Sequence, residues 1–162
     1  MPDFILAIDQ GTTGSTALLI GHDLSVHGHH TVDFPQHFPQ PGWVEHNPDQ
    51  IWGSVRQAIV ELLESTGVTT SQVMAIGITN QRETTVLWDR ADNRPAANAI
   101  VWQCRRTSDL CQQMKQAGLE ELFRQRTGLV LDPYFSGTKM RWLLDNITGL
   151  RRRAEQGDIA FG

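Results

Sequence analysis

The residues with the most evident chemical potential lie between two apolar runs near the start of the 162-residue chain. Phe4-Ile5-Leu6-Ala7-Ile8 leads into Asp9-Gln10-Gly11-Thr12-Thr13-Gly14, and Thr16-Ala17-Leu18-Leu19-Ile20 follows. Short apolar runs with β-branched content around a glycine-containing connection predict a β-hairpin. The two glycines permit positive φ and a close approach of backbone to a ligand. Successive amides in such a turn form an anion-binding concavity, and the Thr12 and Thr13 hydroxyls add donors suited to phosphate. A carboxylate at the end of the strand has a use there if Mg2+, through its waters, links the two negative charges, which makes Asp9 the candidate metal-positioning residue. The same residues also describe a solvent-exposed hairpin turn with an Asx-type bond from Asp9, and both readings stand on the local sequence. The spacing is neither that of a P-loop nor Gly-x-Gly-x-x-Gly.

A second polar step, Thr79-Asn80-Gln81-Arg82-Glu83-Thr84, follows the apolar run Val73 to Ile78. Polar residues at a strand exit mark where open α/β sheets bind ligands. Arg82 and Glu83 would face opposite sides of a continuing strand, so joint use requires a turn; otherwise the two make a surface ion pair. His27 and His29 share one strand face, but without a thiol or a third well-placed ligand they read as a solvated sheet face. Cys104 and Cys111 suit neither a disulfide framework nor a zinc site and are read as reduced thiols.

The elements that must hold these residues follow from periodicity. Val26 to Val32 predicts a third strand, completing an antiparallel meander. Pro35 to Pro48 is an extended, proline-rich connection. A helix then starts at an Asn47 or Asp49 cap. Ile51, Trp52, Val55, Ala58, Ile59, Leu62 and Leu63 mark its buried face, and Gly67 stops it. This is the crossover helix of an α/β unit, delivering Val73 to Ile78 as a central strand. Thr85 to Trp88 and Ala99 to Trp102 are further apolar runs. Helices are expected over 103–118, 119–127, 138–146 and 150–156, with Arg151-Arg152-Arg153 as a solvated face or a contact to an absent part of the molecule. Ile159 to Gly162 reads as the opening of another buried strand, which suggests a fragment of a longer protein.

With 40% hydrophobic and 20% charged residues, the chain has ordinary globular composition and fits one domain. A net charge of −4 gives no electrostatic reason to expect nucleic acid or an anionic membrane as partner. No apolar run approaches a membrane span and no leader opens the chain, which predicts a cytoplasmic protein.

Four ordered stretches sharpen the reading. The Asp9 loop is similar to the first phosphate loop of the actin, Hsp70 and sugar-kinase superfamily. Pro41-Gly42-Trp43-Val44-Glu45, Gly77-Ile78-Thr79-Asn80-Gln81-Arg82-Glu83-Thr84-Thr85, Trp102-Gln103-Cys104-Arg105-Arg106-Thr107 and the segment Tyr134 to Asn146 resemble, in order, the FGGY family of carbohydrate kinases. Within it, Asn-Gln-Arg-Glu-Thr and Trp-Gln-Cys-Arg-Arg favour the members that phosphorylate glycerol. The resemblance runs the whole chain and implies an RNase-H-like α/β fold, a mixed sheet with helices, of which the chain would be an incomplete N-terminal domain. It implies ATP and Mg2+ as cofactors and glycerol as partner, and it leaves homo-oligomerisation of the longer protein open. By the same resemblance Asp9 positions Mg2+, Gly11, Thr12 and Thr13 meet the ATP phosphates, and Arg82, Glu83, Trp102 and Tyr134 contact glycerol. For Trp102 the residue-level alternative is core packing. Thr16 departs from the family, many of whose glycerol-specific members carry arginine there. The general-base aspartate and the adenosine-binding domain would lie beyond position 162, so the chain alone is expected to be inactive. The rival readings are an FGGY kinase for another polyol or sugar, and a non-catalytic, actin-like nucleotide-binding module.

Overall fold

A computed structural model of the chain describes residues 4–162. In chain order the strands are β1 (Phe4–Gln10), β2 (Gly14–Gly21), β3 (Val26–Asp33), β4 (Glu45–His46), β5 (Val73–Asn80), β6 (Leu87–Asp89), β7 (Ala99–Ile100) and β8 (Ile159–Phe161). The helices are α1 (Pro48–Thr66), α2 (Ser108–Gln116), α3 (Glu120–Thr127), α4 (Ser136–Asn146) and α5 (Leu150–Glu155). They form two compact units, one of residues 4–36 and 49–81 and the other of residues 37–48 and 82–162.

The first unit is a four-stranded sheet in the order β3-β2-β1-β5. The meander is antiparallel and β5 runs parallel to β1, so the sheet is mixed and α1 makes the crossover. Register places Leu6 opposite Leu19 and Ile8 opposite Ala17. That set packs with Ala58 and Leu62 of α1 in the unit's core, where each fully buried leucine is worth about 1.5–3 kcal/mol. Gly28 of β3 admits the helix: a Cβ there would lie 2.6 Å from Thr66 Cγ2 and 3.2 Å from Leu62 Cδ1. Pro48 opens α1, where a missing N–H costs nothing, and Gly67 at φ +68° follows its last residue.

Two expectations differ from what the described residues of this unit show. Among them β5 is the outermost strand of the sheet, where a central position was expected. Register sets Ile76 beside Leu6 and Ile78 beside Ile8, yet these side chains are 60% and 73% exposed because the packing of α1 centres on β1 and β2. Trp52 is exposed as well; it sits about 120° around the helix from Ala58 at 3.6 residues per turn, off the packed stripe.

The second unit carries two short ladders, β4 with β7 and β6 with β8, and the helices α2 to α5. Its core joins Val44, Leu87, Ile100, Val101, Cys104, Leu143, Leu150 and Ile159. The helix expected from Gln103 begins only at Ser108. The residues before it make turns, with Cys104 N–H on the Val101 carbonyl and Ser108 N–H on the Arg105 carbonyl, which frees Arg105 and Arg106 to reach back along the chain. α3 ends at Gly128 in the left-handed conformation, φ 74°. The arginine run is not simply a solvated face: Arg151 binds Asp145 and Arg153 binds Asp89. His46 is fully buried, and burial, reinforced by the charge of His37, pushes its pKa down to about 4. Cys104 and Cys111 are both buried and free.

Candidate functional site

In the first unit, Asp9 stands near the end of β1, opposite Thr16 of β2 and beside Thr79 of β5. Strand alternation puts these three side chains on the sheet face away from Leu6, Ile8 and α1. Asp9 is exposed there, and Thr16 shares a hydrogen bond of 2.9 Å with Thr31. The loop that follows is held through its carbonyls. Gln10 Nε2 donates to the Gly11 carbonyl, Gln36 Nε2 to that of Thr12, and Phe34 N–H to that of Thr13. With these acceptors satisfied, an anion at the loop would meet donors.

The glycines work differently from the sequence expectation. Neither Gly11 nor Gly14 has positive φ. Gly11 closes the turn by donating its N–H to the Gly14 carbonyl, and a Cβ on Gly11 would lie 3.2 Å from that oxygen. A Cβ on Gly14 would lie 3.0 Å from the Val32 carbonyl oxygen and 2.7 Å from Asp33 Oδ1. Close backbone approach, not handedness, demands glycine at both. The Gly11 amide is therefore engaged in the turn itself.

In the second unit, the chain leaves β5 through a turn at Arg82 and Glu83. Glu83 has φ 64°, a left-handed conformation uncommon for a residue with a side chain. Outliers of that kind persist only where their surroundings hold them. Here α4 does so. Ser136 donates both its N–H and its hydroxyl to Glu83 Oε2, at 2.9 and 2.7 Å, placing a carboxylate at the helix N-terminus where the dipole favours it. Glu83 is thus turned to α4 and makes no ion pair with Arg82, which is exposed. The indole of Trp102 meets the Tyr134 ring edge to face, centroids 5.9 Å apart at 65°. Glu83 and Tyr134 are bridged by Lys139, whose Nζ donates to both their backbone carbonyls.

Lys139 and Ser136 are the residues that sequence reasoning missed. Both lie in the quoted Tyr134-to-Asn146 segment, and a lysine on the helix face shared with Phe135, Trp142 and Leu143 was the available signal. Burial holds the Lys139 ammonium pKa down to about 8 against the pull of Glu83.

The two stretches Pro41 to Glu45 and Trp102 to Thr107 meet in space. Arg106 Nη2 reaches Glu45 Oε1 at 2.7 Å, and the guanidinium lies 3.9 Å from the centroid of Trp43 and 4.6 Å from that of Trp142. Asn98 donates to Glu45 Oε2, and Arg105 N–H to the Gly42 carbonyl. This clamp fixes the backbone from which Trp102 projects. Close by, Glu83, Phe123, Leu129, Val130, Phe135 and Ser136 line a mainly apolar pocket of about 400 Å³.

The sequence profile described as "FGGY family of carbohydrate kinases, N-terminal domain" matches residues 4–161. A glycerol kinase of Shewanella sediminis (strain HAW-EB3) is 54% identical over 159 residues, 98% of this chain and 32% of that protein. One from Geobacillus sp. (strain WCH70) is 54% identical over 162 residues, all of this chain and 33% of that protein. The crystal structure of Plasmodium falciparum glycerol kinase with ADP superposes with a TM-score of 0.89 at 29% identity, over 98% of this chain and 32% of that one. The chain therefore spans about a third of the length of the curated relatives it matches. With the mixed-sheet α/β fold and a family match over nearly every described residue, this chain belongs to the FGGY family of carbohydrate kinases.

Proposed function

We propose that the chain is the N-terminal third of an ATP-dependent glycerol kinase, part of its first domain, and that the longer cytoplasmic protein transfers the γ-phosphoryl of MgATP to a terminal hydroxyl of glycerol. The observation that carries this reading is the 54% identity to curated glycerol kinases across 98% of the chain. The chemistry of the second unit agrees with it. Glycerol has a hydroxylated side and a carbon edge. Glu83 uses one carboxylate oxygen on Ser136 and has the other for hydroxyl protons, Arg82 supplies donors, and the Trp102 and Tyr134 rings give an apolar wall.

Bound MgATP would supply the transferable phosphoryl group and, through the ion, neutralise its charge. The residues here fit that role. Asp9 is an exposed hard-oxygen donor at the end of β1, and the loop carbonyls are all turned to partners of their own unit. Asp9 would orient the ion, while Thr12 and Thr13 would hold phosphate oxygens, with Gly11 and Gly14 keeping the backbone tight beneath them. The general base and the adenosine site belong to the remaining two thirds, so this chain alone is inactive. In-line positioning needs both parts.

Thr16 faces Asp9 across the β1-β2 ladder. An arginine there would set a cation beside the carboxylate, so its replacement removes positive charge from the side of the loop where phosphate charge develops. The test is direct. The full-length protein should phosphorylate glycerol in an ATP-coupled assay and prefer it to pentuloses such as xylulose by a large factor in kcat/KM. Preference for a pentulose would assign the site to another FGGY substrate, and the absence of any sugar or polyol kinase activity would leave a nucleotide-binding module.

A further inference from the structure

Lys139 has an environment that folding alone does not explain. Its side chain is fully buried in α4. None of the ion pairs among the described residues includes it. Burying a lone ammonium is costly, and the fall in its pKa to about 8 expresses that cost. An aliphatic side chain would fill the same space without it. What the ammonium does there is specific: it donates to the backbone carbonyl of Glu83 and to that of Tyr134. These residues lie about fifty positions apart in sequence, and one of them has the left-handed φ of 64°.

The first turn of α4 consequently grips Glu83 at two points, Ser136 on the carboxylate and Lys139 on the backbone. Lys139 lies three positions after Ser136, so both lie on the same helix face. Glu83 cannot rotate about its own backbone without losing Lys139, and the Tyr134 carbonyl shares the same anchor. Through Tyr134 the anchor also sets the ring that stacks edge-on against Trp102.

We propose that Lys139 is the positioning residue of the polyol site, locking the Glu83 carboxylate and the Tyr134 ring into one fixed geometry by holding both backbones from a single buried nitrogen. It does not touch the substrate. Its contribution is preorganisation: a site held rigidly before binding loses less entropy when the substrate arrives. The inference rests on the reading of Glu83 and Tyr134 as glycerol contacts.

The test is a double-mutant cycle in the full-length kinase, with Lys139→Met as a near-isosteric residue that lacks donors and Lys139→Gln as one that keeps a shorter donor. Each is measured for glycerol KM, ATP KM, kcat and thermal stability. Lys139→Met should lower kcat/KM for glycerol by about 10- to 100-fold, the value of a lost charge-assisted bond at the site, while ATP KM stays within about twofold. Lys139→Gln should recover part of the loss. Combined with Glu83→Gln, Lys139→Met should add much less than its single effect, because both act through one carboxylate; combined with Asp9→Asn it should add fully. Equal losses for glycerol and ATP, full additivity with Glu83→Gln, or unfolding of both Lys139 variants would make Lys139 a folding residue and overturn the assignment. If Glu83→Gln alone left glycerol kinetics unchanged, the reading of the site itself would fall.

Discussion

Arg106 reaches Glu45 across sixty-one positions of sequence, Nη2 to Oε1 at 2.7 Å, with its side chain only 1% exposed. The pair binds two of the stretches that carry the family resemblance in the sequence, Pro41 to Glu45 and Trp102 to Thr107. Their structural work is to brace the loop that carries Trp102. The indoles of Trp43 and Trp142 cover the guanidinium, so the ion pair is desolvated and its geometry is fixed by planar contacts that an ammonium cannot reproduce. Removing one partner would strand a buried charge.

Arg106→Met is therefore expected to destabilise the chain by about 3–5 kcal/mol, with Arg106→Lys recovering only part of that loss. Urea unfolding followed by tryptophan fluorescence measures it. A loss below about 1 kcal/mol, the scale of an exposed pair, would show that the clamp is not desolvated in solution.

His46 predicts a pH dependence. Its folded pKa of about 4 lies below the ordinary 6.5, so the folded chain keeps the imidazole neutral while the unfolded chain takes up a proton as pH falls. The stability that depends on a neutral His46 is fully present above pH 6.5 and is lost progressively between pH 6.5 and about 4. The gap is worth at most roughly 3 kcal/mol. Stability curves at pH 7.5 and pH 5 should differ in wild type, and the His46→Gln variant should show a smaller difference. An unchanged slope in the variant would remove His46 as the cause.

The α/β class, the meander, the crossover helix and the loop at Asp9 were legible in the sequence because each rests on a local signal: alternation in Leu6 and Ile8, helical spacing in Ala58 and Leu62, glycines at the turn. What was not legible depends on partners distant in the chain. The exposure of Ile76 and Ile78 follows from where α1 packs. The late start of α2 follows from Arg106 being drawn to Glu45. The turn at Glu83 was expected only because adjacent strand residues point apart; its left-handed φ and its grip by α4 required Ser136 and Lys139 to be seen beside it.

Thr16→Arg in the full-length kinase tests the geometry of the β1-β2 ladder. Residue 16 pairs with Asp9 on one face, so the new guanidinium would lie beside the carboxylate and the loop proposed to hold phosphate. The variant gives up the Thr16–Thr31 hydrogen bond, a loss of about 1 kcal/mol in stability. It should nonetheless raise kcat with glycerol KM unchanged. A fall in kcat at unchanged stability would show that the phosphates approach the loop from elsewhere.

The measurement closest to the central claim is a paired one on Asp9→Asn in the full-length kinase. The substitution keeps the shape of the side chain and removes the charge proposed to orient Mg2+. Loss of one preorganised electrostatic contact at a transferring phosphoryl group costs about 10²- to 10³-fold in kcat, whereas loss of a turn interaction costs on the order of 1 kcal/mol of folding. The account predicts a fall in kcat of that size with the melting temperature nearly unchanged. A variant that melts several degrees lower yet phosphorylates glycerol at the wild-type rate would contradict it and leave Asp9 as a turn residue.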